Sequence, residues 1–162
     1  MSHPWFSIVL LVAAIGSAMI AGLFYAFSTF IMQALGRLPT AAGAAAMQSI
    51  NSTILNPLFF SLFFGTAAVS LIVSIGALLA PERPGALCVI IGGALYLAGA
   101  IVVTMAFNVP LNNGLAGTNP AAAECDAVWR RYLVRWTQWN HVRTLASLAA
   151  AVLFTLALCA GP

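Results

Sequence analysis

The stretch LIVSIGALLAPERPGALCVIIGG, Leu71 to Gly93, decides the fold. Two apolar runs meet at Ala80-Pro81-Glu82-Arg83-Pro84-Gly85, where the prolines and the glycine can continue neither helix and the two charges ask for water. Followed outward, the runs extend to Pro57 on one side and Phe107 on the other. Each is then about the ~20 residues that a helix needs to cross a bilayer. The unit is a transmembrane hairpin with a tight exposed turn.

The rest of the chain repeats the pattern. Of its 162 residues, 62% are hydrophobic and 6% charged, and lysine is absent; a soluble domain carries charge on about a quarter of its residues. Apolar runs over about 5–35, 57–79, 86–107 and 139–158 predict an all-α integral membrane four-helix bundle in one domain, 1–162, of up-down topology. Long connections at 36–56 and 108–138 share one membrane face, the loop side, while both termini and the short turn share the other. The first run is too long for a signal peptide and lacks a basic leader.

Polar residues are divided unevenly between these faces. All seven asparagines, all three glutamines and five of the six arginines fall at the loop side, leaving His3, Glu82 and Arg83 at the other. No Asp, Glu, Arg or His occupies the membrane centre, where such groups mark proton and ion pathways. That disfavours a proton-coupled exporter. Six arginines against three acids make no nucleic-acid footprint, and Cys88, Cys125 and Cys159 have neither redox-pair nor metal-site spacing.

Small residues let helices approach closely in lipid, and Ala14, Ala18, Gly22 and Ala26 supply such a stripe in the first span, with Gly92, Gly93 and Gly99 in the third. Phe24, Tyr25, Phe27 and Phe30, with Phe59, Phe60, Phe63 and Phe64, gather aromatics in the loop-side halves of spans one and two. They fit an interfacial belt or core, or a pocket for a flat ring. Asn56-Pro57 and Asn108-Val109-Pro110-Leu111-Asn112-Asn113 are breaks where proline stops the helical ladder. Amides there either tie the loops down or line a polar pocket in which Asn56, Asn108, Asn112 and Asn140 orient phenol, ketone or quinone oxygens.

Asn119-Pro120 predicts a helix start, and no glycine or proline interrupts Ala121 to Ala160. This helix is too long for the bilayer alone, so its first half lies along or stands beyond the membrane surface, as an interfacial helix leading into the fourth span. At about 100° per residue, Trp129, Tyr132, Trp136, Trp139, Asn140 and Arg143 share a broad face, Arg131 and Arg135 lie opposite, and His141 sits on a flank. Arg143 either snorkels to headgroups or is a cation held in the loop-side mouth, where dry surroundings strengthen its hold on an oxyanion. His141 is either an interfacial hydrogen-bonding imidazole or a general base, the role its side-chain type serves near neutral pH. His3, at the opposite face roughly 30 Å away, cannot join it in one subunit.

Phe24-Tyr25-Ala26-Phe27-Ser28, Ala46-Met47-Gln48-Ser49-Ile50-Asn51 with Asn56-Pro57, Asn108-Val109-Pro110-Leu111-Asn112, and Trp136-Thr137-Gln138-Trp139-Asn140-His141-Val142-Arg143-Thr144 together resemble the anthrone oxygenase-like family of small four-span membrane proteins. Most bacterial members of that family have no assigned activity, whereas characterised fungal relatives oxidise polyketide anthrones to anthraquinones with molecular oxygen. The resemblance implies a flat phenolic or polyketide-like substrate. In that chemistry His141 takes an acidic benzylic proton, Arg143 with Asn108, Asn112 or Asn140 holds the anion, and Trp136 and Trp139 stack on the rings. No cofactor is required by it and no metal ligands are assigned, a metal held by His141 with Glu124 or Asp126 staying open. A non-enzymatic membrane binding or assembly module is the alternative, and a homo-oligomer stays open. The arginine bias sets the loop side in the cytoplasm and the termini outside, in a bacterial inner membrane.

Overall fold

The computed structural model describes residues 4–161 and is helical, with no strand among them. Helix α1 is one rod built from an α-helical stretch Pro4–Ala26, a π-helical turn Phe27–Ile31 and a last α-helical turn Met32–Gly36. A short helix α2 spans Thr40–Thr53, inside the first long connection, and α3 spans Pro57–Leu79. Helix α4 runs through Ala86–Leu95, two π-helical stretches at Tyr96–Val102 and Thr104–Asn108, and Val109–Ala116. Helix α5, Cys125–Ala160, completes the chain. Four rods, α1, α3, α4 and α5, are long and apolar enough to cross a membrane. Each packs on two neighbours around a ring, so the chain is an integral membrane four-helix bundle.

Local chemistry sets the ends. Asn56 Oδ1 accepts from the Phe59 amide at 3.0 Å, with Pro57 at the first helical position, so α3 starts where capping predicts. Gly85 has φ 79°, the left-handed conformation that the Pro81–Gly85 turn needs before α4, and the α-carbon of Ala157 leaves a side chain no room there.

Three expectations are corrected. Pro110 does not end the third span: it falls at the start of the final α-helical stretch of α4, a position that tolerates a missing amide, and the π-helical turns before it take up the change of register. Asn119 caps only the Ala121 amide, at 3.0 Å, and turns follow to Glu124, so the last helix begins at Cys125. Its first half is the outer part of one continuous rod of roughly 54 Å, which overshoots a ~30 Å hydrocarbon layer. The small-residue stripe of α1 is not its packing face, since Ala18 and Gly22 are exposed. Contact runs instead along Leu10, Ala13, Ser17, Ile20, Phe24 and Phe27. Gly93 and Gly99 do thin α4: a Cβ on either would collide with Ser74 or Ala146.

Two apolar cores result. One fills the bundle around Leu10, Phe63, Val73, Tyr96 and Phe154. The other lies beneath α2 and joins Met32, Met47, Leu115, Trp129, Tyr132 and Trp136. A buried polar layer separates them, with Phe24 of the first core and Trp136 of the second touching its central cation.

Candidate functional site

The polar layer is built on one stripe of α5. Trp129, Tyr132, Trp136, Asn140, Arg143 and Ser147 recur at three- and four-residue spacing, the helical repeat, and all are buried. The rings of Trp129, Tyr132 and Trp136 form a ladder with centroids 5.7 and 5.9 Å apart. Asn112 of α4 fixes its inner end: its Oδ1 accepts from Tyr132 Oη at 2.7 Å and from Trp136 Nε1 at 2.8 Å. Asn51 Nδ2 donates to Tyr132 Oη at 3.3 Å, and Gln48 Nε2 donates to the carbonyls of Leu115 and Thr118 at 2.8 and 2.9 Å, tying α2 to α4.

Arg143 stands at the centre, 5% exposed. Its Nη2 donates to Asn140 Oδ1 at 2.6 Å and its Nη1 to Thr104 Oγ1 at 3.2 Å, while Nε has no partner. The guanidinium carbon lies 4.1 Å from the Phe24 ring centroid and 4.9 Å from that of Trp136. Asn140, wholly buried, is held in turn through Nδ2 by the Phe24 carbonyl and Ser28 Oγ, both at 2.7 Å. Asn108 Nδ2 donates to the Trp136 carbonyl at 3.2 Å, and its Oδ1 is buried without a partner.

No carboxylate answers this cation. The chain has three, and Glu82 belongs to the turn at the far end of the bundle, whereas Glu124 and Asp126 precede Arg143 by more than 16 residues, ~25 Å along the rod. Removing an unpaired charge from water costs several kcal/mol. Two ring faces and two hydrogen bonds offset part of that cost here, each desolvated cation–π contact being worth ~2 kcal/mol.

Arg143 faces a cavity of about 340 Å³, inside the ~300–1,000 Å³ range of small-molecule sites. Phe24, Phe27, Phe59 and Trp136 give it flat apolar walls, Thr104, Asn112, Gln48 and Asn51 its polar points, and Arg143 is, among the described residues, the one ionisable side chain on its lining. The arrangement suits a planar aromatic molecule bearing an oxyanion or an acidic phenol.

The expected site residues divide accordingly. Arg143, Trp136 and Asn112 line the cavity, and Asn108 and Asn140 stand behind it as buried braces. Asn56 caps α3 and borders an adjoining groove. Tyr25 is 59% exposed and points away. Trp139 stacks on the exposed Phe107 with centroids 3.6 Å apart, on the outer face of the α4–α5 seam. His141 is exposed in a shallow hollow with Gln33 and Arg37 between α1 and α5. Two residues along an α-helix turn through ~200°, so the burial of Arg143 puts His141 outside, away from the cavity. Asp126 lies ~22 Å up the rod from His141 and Glu124 further still, so the expected metal grouping does not form, and His3 lies outside the described residues. Among the described residues, no three His, Cys, Asp or Glu side chains meet as ligands.

Thr104 and Gln48 enter the lining unannounced, and Phe59 does so from the aromatic cluster for which a ring pocket is one of two readings. Thr104 carried a faint signal, a lone hydroxyl one helical turn before Asn108 in an apolar run. The placement of Gln48 depends on α2 folding back under the loop side, which no local pattern specifies.

Fold and site define a membrane-embedded four-helix protein with a ring-walled cationic cavity near one end of the bundle. The family model for anthrone oxygenase matches residues 59–153, more than half of the chain, and the chain belongs to that family. Thr104, Asn108, Asn112, Trp136, Asn140 and Arg143 all fall within the matched residues. No curated protein and no solved structure matches.

Proposed function

We propose that this protein is a membrane oxygenase that converts a flat phenolic, anthrone-like substrate to a quinone with dioxygen. Arg143 carries the reading: it is a buried guanidinium without a counter-ion, aimed into a cavity walled by rings. An anthrone loses a benzylic proton to give an enolate whose negative charge rests on oxygen. Arg143, on the cavity lining, is the group that holds that oxygen in this reading, and a dry site makes the interaction stronger than in water. The proton leaves to water, since the lining among the described residues holds no carboxylate or imidazole to take it. The enolate carbon then gives its electrons to dioxygen and forms a carbon–oxygen bond. Cleavage of the resulting peroxide, with loss of the second benzylic hydrogen, yields the quinone carbonyl and water. One anthrone and one dioxygen thus give one anthraquinone and one water. His141, outside the cavity, has no part in this scheme.

A second reading has its own support. The lining offers no carboxylate or imidazole for proton transfer, which suits a binder of aromatic anions that performs no chemistry. Dioxygen uptake by the reconstituted protein supplied with anthrone separates the two. Uptake matched one-to-one by quinone formation, and lost in Arg143→Gln, supports the oxygenase. Binding without uptake supports the binder. In the oxygenase reading the loop side lies in the cytoplasm of a bacterial inner membrane, an orientation the arginine bias supports, with the bilayer as the reservoir for the aromatic substrate.

A further inference from the structure

The Arg143 cavity shares its wall with a second hollow. Ile50, Ile54 and Phe59 line both the cavity and an open groove of about 690 Å³ between α1, α2 and α3, whose other walls include Met19, Leu58 and Leu62. Met19 and Leu62 in turn line a third hollow of about 320 Å³ lower on the same seam, with Val12, Gly16, Gly65 and Thr66. The three form a series from the middle of the α1–α3 seam to the guanidinium.

The seam is open by composition. A Cβ built on Gly65 would meet nothing within 4 Å, so this glycine serves no close helix contact and instead leaves the third hollow open. Leu58 and Met19 present exposed apolar side chains along it. The seam also lies within the two apolar rods, at a depth where its surroundings are acyl chains. Asn56, Ser49 and Thr53 rim the middle hollow at its loop-side end. The hollow therefore grades from apolar to polar in the direction of the cavity. The Ile50, Ile54 and Phe59 side chains are common to groove and cavity, and α2, which carries Ile50 and ends just before Ile54, is pinned by Gln48 and Asn51 at sites one turn or less from the two isoleucines. Hydrogen bonds thus hold the neighbouring backbone while the isoleucine side chains stay free to change rotamer.

We propose that the α1–α3 seam is a lateral portal through which a flat apolar substrate passes from the bilayer to Arg143, with Ile54 and Phe59 as its gate. This rests on the cavity being the substrate site. The occupant is the substrate in transit because the groove is continuous with a cavity of the matching ring chemistry, which a site for a permanently bound acyl chain would not need.

The test uses 1-hydroxyanthraquinone, whose visible band moves when its phenol ionises, mixed from vesicles with the full-length protein in proteoliposomes and followed by stopped flow. Gly65→Leu fills the lower hollow of the seam, where its side chain meets open space, and Ile54→Phe thickens the gate. Both are expected to slow the approach to binding about tenfold and to slow release equally, leaving the final spectrum unchanged. Arg143→Gln is expected to abolish the spectral change itself. Unchanged rates in both portal variants, with the Arg143 effect intact, would overturn the portal and leave the site standing, access then being through the water-facing mouth. A lost final signal in Gly65→Leu would also overturn the portal, because it would mark the seam as a resident binding site. No spectral change in the unmodified protein would overturn both proposals.

Discussion

The Arg143 guanidinium lies over the Phe24 ring, 4.1 Å from its centroid, while the carbonyl of the same Phe24 accepts from Asn140, the residue that holds Arg143 Nη2. One residue of α1 thus supports the cation directly through its ring and indirectly through its backbone. This double support keeps a charge at the interior of a bundle with no acid to pair it, and it ties the site to the α1–α5 contact.

A charge kept for a ligand destabilises the empty protein. Arg143→Met retains the stem and removes the charge, so it is expected to raise the thermal midpoint of the ligand-free protein, or leave it unchanged, while abolishing binding of hydroxyanthraquinone. Arg143→Lys is expected to bind at least tenfold more weakly, because one ammonium cannot replace a planar fork that meets Thr104, Asn140 and a ligand at once. Thermal unfolding in detergent and visible titration measure the two effects. A midpoint lowered sharply by Arg143→Met would show that the guanidinium is structural.

Supplying the missing acid should also silence the site. Thr104 Oγ1 sits 3.2 Å from Arg143 Nη1 on the cavity lining. Thr104→Asp places a carboxylate beside the cation, and the resulting pair is expected to exclude an anionic ligand, lowering affinity by about tenfold or more with little change in stability. Thr104→Val is the control and is expected to change affinity by about threefold or less, since it removes one long hydrogen bond. Equal losses in both variants would mean that Thr104 acts through packing.

His141→Ala probes how far the sequence alone could reach. The four spans, the short Pro81–Gly85 turn, the cap at Asn56 and the gathering of asparagines at one face follow from hydropathy and turn chemistry, which are local. The α5 face carrying Trp136, Asn140 and Arg143 follows from helical periodicity. His141 lies on a flank of that face and Trp139 at its edge, and such positions are settled only by which neighbour packs against them. Here α1 closes on Asn140 through Phe24 and Ser28, leaving His141 exposed, and Phe107 turns Trp139 outward. The π-helical turns at Phe27–Ile31 and Thr104–Asn108, which shift register beside the site, have no local sequence signature. His141→Ala is therefore expected to keep turnover within about twofold, as a surface change does. A loss above tenfold in folded protein would return the imidazole to the mechanism.

Asn112 couples the roof of the cavity to its walls. Its single Oδ1 accepts from both Tyr132 and Trp136, so Asn112→Leu leaves two donors without that acceptor. Interhelical hydrogen bonds in membranes average ~0.6 kcal/mol, and an unsatisfied buried donor costs about 1–3, so a loss of about 1–2 kcal/mol in stability is expected. Trp136, no longer held from α4, is expected to rotate away from the guanidinium, weakening ligand binding beyond what the stability loss explains. Tyr132→Phe separates these effects. It removes one of the two donors but leaves Trp136 Nε1 on Asn112, so it is expected to reduce stability modestly and spare binding. In the double variant, the Tyr132 change should cost little beyond Asn112→Leu, because its shared hydrogen bond has already gone. Full additivity of the two stability losses would show that Asn112 and Tyr132 act independently and that the ring ladder is held by packing alone.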